Sequence, residues 1–358
     1  MSLQLRHSNG VYSVKRTTRP AFLAQNASRV KTKACAKSAL KPVKSECTAF
    51  APATVANLGP GFDWLGCAVE GEGDTVVAKV VPDKKGIFIE SIEGDGGRLS
   101  LDPAKNCIGV AATETLKLIG EVDCGISLKL HKGLPLGSGM GSSAASAAAA
   151  AWAVNGLFGS PVSKELLINA GLESEASVSG YHADNIGPSL LGGFILIKKC
   201  KRGSPVELMS LPFSKDNLYF VLVNPKFEAP TAKMRAALKP TVPMASLVNN
   251  CQQGGALVAG ILTGNVPLIG EALDSDVVVE PARAPLIPGM MLVKAAAKAA
   301  GAYGCTISGA GPTAVAIVDD VKVGERVSRA MCDAFRAGGL EVNTAKIVRL
   351  NTDGAKFV

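Results

Sequence analysis

The stretch Gly133-Leu134-Pro135-Leu136-Gly137-Ser138-Gly139-Met140-Gly141-Ser142-Ser143-Ala144-Ala145 decides the fold class. An alternating segment, Gly125-Ile126-Ser127-Leu128-Lys129-Leu130, precedes it and an Ala-rich run follows, so the local order is strand, glycine loop, helix. Gly137, Gly139 and Gly141 reach positive φ freely and let the backbone approach an anion with no Cβ in the way. Ser142 and Ser143 then open the helix, where unpaired N–H groups and the positive end of the dipole face any phosphate. Their hydroxyls can cap that helix or help to hold Mg²⁺. A Walker A loop needs Lys directly after its last glycine, and Ser142 stands there instead, so the P-loop NTPase reading fails. Spacing alone leaves one bland alternative, a glycine-rich turn ahead of a slim, Ala-rich packing helix.

Outward from this loop, residues 75–81 and 86–90 read as strands and 107–119 as a helix. Residues 192–197 form a further strand, and the polar stretch 198–205 after it reads as an inter-domain connection with the boundary near 208. Past it we expect a strand at 218–223, helices around 231–238, 244–263 and 289–300, and strands at 302–307 and 313–318 about a second glycine loop. A chain of this length past its leader suggests two domains in contact, 46–208 and 209–358.

The leader is read from charge. Ten basic residues precede Glu46, the first acidic one, and Ser and Thr are scattered among them. A basic, acid-free start of this kind reads as an organelle transit peptide over residues 1–45, with plastid import expected and mitochondrial import as the alternative. A basic arm for nucleic acid is the competing reading. Of 38 basic residues in the chain, removal of those ten leaves 28 against 30 acidic ones, so the rest is not basic and advertises neither nucleic acid nor anionic lipid. The longest apolar run, 144–158, is too short and too Ala-rich to span a bilayer. Nine cysteines, none in a C-x-x-C pair, and three histidines suggest neither a disulfide framework nor a zinc site.

Two more loops accompany the first. Residues 135–143 resemble the ATP-phosphate loop of the GHMP kinases, Pro52-Ala53-Thr54-Val55-Ala56-Asn57-Leu58-Gly59-Pro60-Gly61-Phe62-Asp63 resembles that family's first motif, and Ser308-Gly309-Ala310-Gly311-Pro312-Thr313 its third. All three occur in family order over residues 46–358. Met140 departs from the usual Leu, a near-isosteric swap. Residues 51–63 and His182-Ala183-Asp184-Asn185 are most similar to the plant-type homoserine kinases.

The resemblance implies an α+β GHMP kinase fold: an amino-terminal domain like domain 2 of ribosomal protein S5 with a left-handed β-α-β unit, packed on a ferredoxin-like carboxy-terminal domain. It implies ATP and Mg²⁺ as cofactors and L-homoserine as substrate. Pro135 through Ala144 would hold ATP. Asn57, Asp63, His182, Thr231, Arg235, Arg283 and Gly309 would meet homoserine, with the two arginines on its carboxylate, because a planar guanidinium binds that group bidentately. Asp63 supplies the negative charge an ammonium wants. Asn57, Asp184 and Asn185 fall at the reacting centre, with no general base assigned. Ser142 and a carboxylate in Leu172-Glu173-Ser174-Glu175 would hold the metal; Glu173 is the choice and Glu175 the alternative. Phosphoryl transfer then asks for in-line alignment and charge neutralisation. The rivals are another GHMP substrate, such as that of diphosphocytidyl-methylerythritol kinase, and a silent GHMP-fold sensor. The sequence leaves the oligomeric state open, a homodimer included.

Overall fold

Residues 51–56 and 65–69 are largely apolar and buried on both faces, while 46–50 and 74–80 alternate, and these stretches form the two long strands on which the rest is built, β1 (Glu46–Ala56) and β2 (Leu65–Val81). The structure, a computed structural model, describes residues 39–358 except Ser179. β1 and β2 are antiparallel neighbours, and β2 also pairs along its second half with β4 (Gly125–His131). β3 (Gly86–Glu93) lies parallel to β4, the connection between them running through α1 (Cys107–Ile119). Asn106 caps α1 by accepting from the Ile108 N–H at 3.1 Å.

α2 (Ser142–Leu157) is apolar all round, and such a helix must be buried on every side. It packs between the sheet, α1 and α3 (Lys164–Val178), where Ala147 to Ala151 are fully buried. A slim alanine surface is what permits that many close neighbours. Then come α4 (Ile186–Leu191), β5 (Phe194–Lys199) and β6 (Glu207–Leu211); β5 joins the free half of β2, and β6 extends the sheet beyond it.

The second sheet begins with β7 (Tyr219–Pro225). The helices α5 (Thr231–Ala236), α6 (Met244–Thr263), α7 (Val266–Leu273), α8 (Glu280–Arg283) and α9 (Met290–Ala299) follow, then β8 (Gly304–Ile307), β9 (Ala314–Val318), α10 (Val321–Ala337) and β10 (Val342–Arg349). The order β10-β7-β9-β8, antiparallel throughout, is the ferredoxin-like arrangement of a split β-α-β pair. The last strand, β11 (Lys356–Phe357), returns to the first sheet beside β1, with Phe357 stacked on Trp152 at 4.9 Å.

The chain changes sheets between Leu211 and Tyr219, since β6 still pairs with β5, a few residues past the boundary read at 208. Residues just before Glu46 already belong to this body: the Leu40 N–H donates to Glu121 O and the Val43 N–H to Leu157 O, both at 2.8 Å. The remainder of the expected transit peptide lies outside the described residues. Among those described, no helix is long and apolar enough to cross a membrane.

The packing of α2 yields a stability prediction. Ala148→Leu forces three extra heavy atoms into a fully filled layer and should destabilise by about 1–3 kcal/mol. Urea unfolding should show a lower midpoint with an unchanged slope; an unchanged midpoint would mean that α2 has slack.

Candidate active site

Three loops meet on one side of the seam between the sheets, and their backbones are sewn together. Ser308 Oγ donates to Gly139 O (2.8 Å), Thr313 Oγ1 to Ser138 O (2.6 Å), and Asn57 Nδ2 to Gly309 O (2.8 Å). Thr54 Oγ1 donates to Asn185 Oδ1 at 2.8 Å, which draws the loop before α4 into the same group. Glycine is required here by crowding as much as by an anion. A Cβ on Gly141 (φ 66°) would sit 2.0 Å from Thr54 Oγ1, and one on Gly139 (φ 79°) 2.5 Å from Ser308 O.

Around these loops lies a cavity of about 470 Å³. Its wall includes Asn57, Asp63, Leu136, Gly137, Ser138, Gly139, Gly141, Ser142, Ser143, Glu175, His182, Asp184, Asn185, Thr231, Arg235, Arg283 and Gly309, all expected from sequence. Pro135, Met140 and Ala144 do not line it; Met140 and Ala144 are side chains of the two hydrophobic cores beneath. Glu173 is a second departure. Residues i and i+2 of a helix point about 200° apart, so Glu173 and Glu175 of α3 cannot share a face. Glu175 is the one turned inward, 4% exposed, whereas Glu173 pairs with Arg202 at the surface.

At the floor of the glycine loop stands a residue the motif reading missed. Lys132 Nζ forms an ion pair with Asp74 and donates towards Ser142 Oγ (2.7 Å), Ser142 O (3.0 Å) and Ser146 Oγ (3.0 Å), with both charged side chains almost wholly buried. Asp74 also accepts from the Gly133 and Leu134 N–H groups at 3.0 and 3.2 Å. The usable sequence signal was position: a Lys between a strand and Gly133, and an acid directly before the strand read at 75–81.

The opposite end is charged in a different way. Arg235 grips Asp63 with two hydrogen bonds, 2.8 and 2.9 Å, and His182 Nδ1 lies 3.5 Å from the same carboxylate. Arg283 donates to the carbonyls of Gly309 (3.1 Å) and Met234 (3.3 Å), and both guanidiniums lie over Phe62 at about 5 Å. Burial and then the neighbouring Arg235 pull the Arg283 pKa down to about 10, which still leaves it charged at neutral pH, and the two guanidiniums carry one positive charge more than Asp63 neutralises. Burial lowers the His182 pKa as well, which keeps the ring neutral at neutral pH. The wall is braced from behind by α6: Gly254 lets it approach the Trp64 ring, and Asn250 binds Asp276, whose carboxylate accepts from the Val278, Val279 and Glu280 N–H groups at the start of α8.

Known proteins supply the comparison for this arrangement. The profile of the GHMP kinases N terminal domain matches residues 106–193, and that of the GHMP kinases C terminal matches 257–337. A homoserine kinase of Arabidopsis thaliana is 54% identical over 321 residues, 89% of this chain and 86% of that one. The chain belongs to the homoserine kinases of the GHMP family. A crystal structure of homoserine kinase from Cytophaga hutchinsonii superposes with a TM-score of 0.83 at 38% identity, over 89% of this chain and 99% of that one. Mevalonate kinase of L. major (TM-score 0.66, 17% identity, 87% and 98% covered) shares the fold.

Burial first, and then the charges of Asp63 and Glu175, raise Asp184 to about 7. The unfolded chain releases this proton near the ordinary carboxylate range. Stability from this group is therefore full below about pH 4 and is lost as pH rises through about 7. Asn cannot ionise, so the Tm of Asp184→Asn relative to the parent should climb by several degrees from pH 5 to pH 8. A constant difference across that range would place the titration elsewhere.

Proposed function

We propose that the protein transfers the γ-phosphoryl group of ATP to the side-chain hydroxyl of L-homoserine. The observation that carries this reading is one cavity with two unlike ends: a glycine loop and helix start for phosphates, and Arg235, Arg283 and Asp63 for a zwitterion. A carboxylate entering between the guanidiniums would balance their excess charge with bidentate geometry, while Asp63 and the Asn57 amide face the ammonium side. A substrate that carries a nucleotide would have no use for two arginines at that end.

Donors in the wall fit Mg²⁺, since a buried carboxylate (Glu175) and a hydroxyl (Ser142) are oxygen ligands, and ATP phosphates and water complete such a site. When bound, the ion neutralises charge on the phosphates. Lys132 holds the Ser142 hydroxyl in place and adds a positive charge beneath the loop. Asn185, fixed by Thr54, and Asp184 shape the place where the hydroxyl must point. A loose phosphoryl-transfer transition state needs orientation and charge neutralisation more than early removal of the hydroxyl proton, so no residue is given the part of base. The acid-free start and the Arabidopsis relative support import into the plastid.

ADP release by the full chain with L-homoserine, mevalonate and diphosphocytidyl-methylerythritol in parallel tests the assignment. Turnover with homoserine alone is expected, and turnover with another acceptor, or ATP binding with none, would replace it by one of the rivals. Arg283→Lys should lower kcat/KM for homoserine roughly tenfold to a hundredfold through loss of a charge-assisted pair, about 1.5–3 kcal/mol, with ATP affinity little changed. Glu175→Gln should raise the Mg²⁺ requirement and Glu173→Gln should not; the reverse result would return the metal ligand to Glu173.

A further inference from the structure

Behind the acceptor wall lies a second set of buried charges, none of which touches the cavity. Glu280, the first residue of α8, is 6% exposed. Its Oε1 accepts from Lys294 Nζ of α9 at 2.7 Å and its Oε2 from Thr306 Oγ1 of β8 at 3.1 Å. Lys294 Nζ also lies 3.1 Å from Asp274, the residue that ends α7, and Asp274 accepts from the Cys305 N–H (3.3 Å) and from Lys298 (2.6 Å). Each of these elements abuts the site. A Cβ on Gly59 of the first loop would sit 2.0 Å from Leu273 O, one residue before Asp274. Thr306 stands two residues before Ser308 in the third loop, and Arg283, one turn after Glu280, lines the cavity.

We propose that Glu280, with Lys294 and Thr306, positions Arg283 by holding α8 in the one orientation that aims its guanidinium at the substrate carboxylate. This rests on the reading of Arg283 as part of the carboxylate clamp. α8 has four residues, too few to keep a direction unaided, because a single helical turn gains little against the cost of ordering it. Asp276 caps its first N–H groups, and the Glu280 carboxylate ties the turn to α9 and β8. Buried charges are a poor source of net stability, since apolar groups of the same volume commonly do as well or better. They are strict about geometry instead: a carboxylate turned away from Lys294 and Thr306 would leave both without a partner in the interior. Arg283 itself uses Nε on Met234 O and Nη1 on Gly309 O. The remaining donors of a planar guanidinium then have a fixed direction, and tilting the turn would redirect them. Glu280 does not line the cavity, so it acts through Arg283 and not on the substrate.

Steady-state kinetics of the full chain at pH 8 test this, above the value of about 7 to which burial raises the Glu280 carboxyl. Glu280→Gln keeps the shape and loses the charge. KM for L-homoserine should rise roughly tenfold, with kcat and KM for ATP close to the parent's, because a misdirected clamp weakens binding of the amino acid alone. Thr306→Val removes one hydrogen-bond donor from a side chain of the same shape and should shift that KM in the same direction by about threefold, which keeps the test open should Glu280→Gln fold poorly. In an Arg283→Lys background, Glu280→Gln should add about twofold at most, since a residue that acts through Arg283 has nothing left to aim. Equal losses for both substrates, a lower kcat at unchanged KM for homoserine, or full additivity with Arg283→Lys each overturn the proposal. Should Arg283→Lys turn over homoserine as the parent does, the clamp reading falls and this proposal with it.

Discussion

Everything at the nucleotide end depends on one buried ion pair, Lys132 with Asp74. Removing two charges from water costs several kcal/mol per ion, and the attraction repays this only where further hydrogen bonds satisfy both groups. Here they do. Asp74 accepts two backbone N–H bonds from the first residues of the glycine loop and one from Ser146, while Lys132 reaches the Ser142 hydroxyl and carbonyl in the first turn of α2. The pair therefore ties the middle strand of the sheet, the loop and the helix start into one unit. A phosphate-binding backbone is useful only if its N–H groups are already aimed, and this is the device that aims them.

The acceptor end is held by the opposite strategy. Its charges are near the surface of the cavity and partly matched, Asp63 against Arg235, with Arg283 left as surplus. A zwitterion can exchange contacts with such a set without exposing a bare charge, which separates substrate recognition from the rigid floor. The brace behind it explains why residues far along the chain matter: α6 touches the first loop through Trp64 and the Arg283 helix through Asn250 and Asp276. The return of β11 to the first sheet adds a covalent tie between the two layers.

Much of this was legible in the sequence because it rests on local chemistry. The glycines at 137, 139 and 141 all take positive φ, and at 139 and 141 a Cβ would collide with a neighbouring loop, whereas at 137 it would make only ordinary contact; the helix and strand patterns at 107–119, 125–130 and 244–263 became α1, β4 and α6. What was not legible depended on facing. Glu173 and Glu175 are two residues apart, and only the burial of α3 decides which of them turns inward. Met140 and Ala144 sit inside the motif yet point into the cores, since a loop that turns into a buried helix sends some of its side chains inward, away from the ligand. Lys132 looked like any solvated strand end until Asp74, 58 residues earlier, was brought beside it. Gly141 carries a further lesson, because its lack of a side chain makes room for Thr54 as well as for an anion.

Calorimetric ATP affinity in a double-mutant cycle of Asp74→Asn and Lys132→Met tests most directly whether the buried pair aims the loop. Each single variant should weaken ATP by more than tenfold, and the double should recover folding stability towards the parent while ATP affinity stays low, with a large coupling energy in the stability cycle. If Lys132→Met binds ATP as the parent does, the loop is aimed by something else and the account of the nucleotide end is wrong.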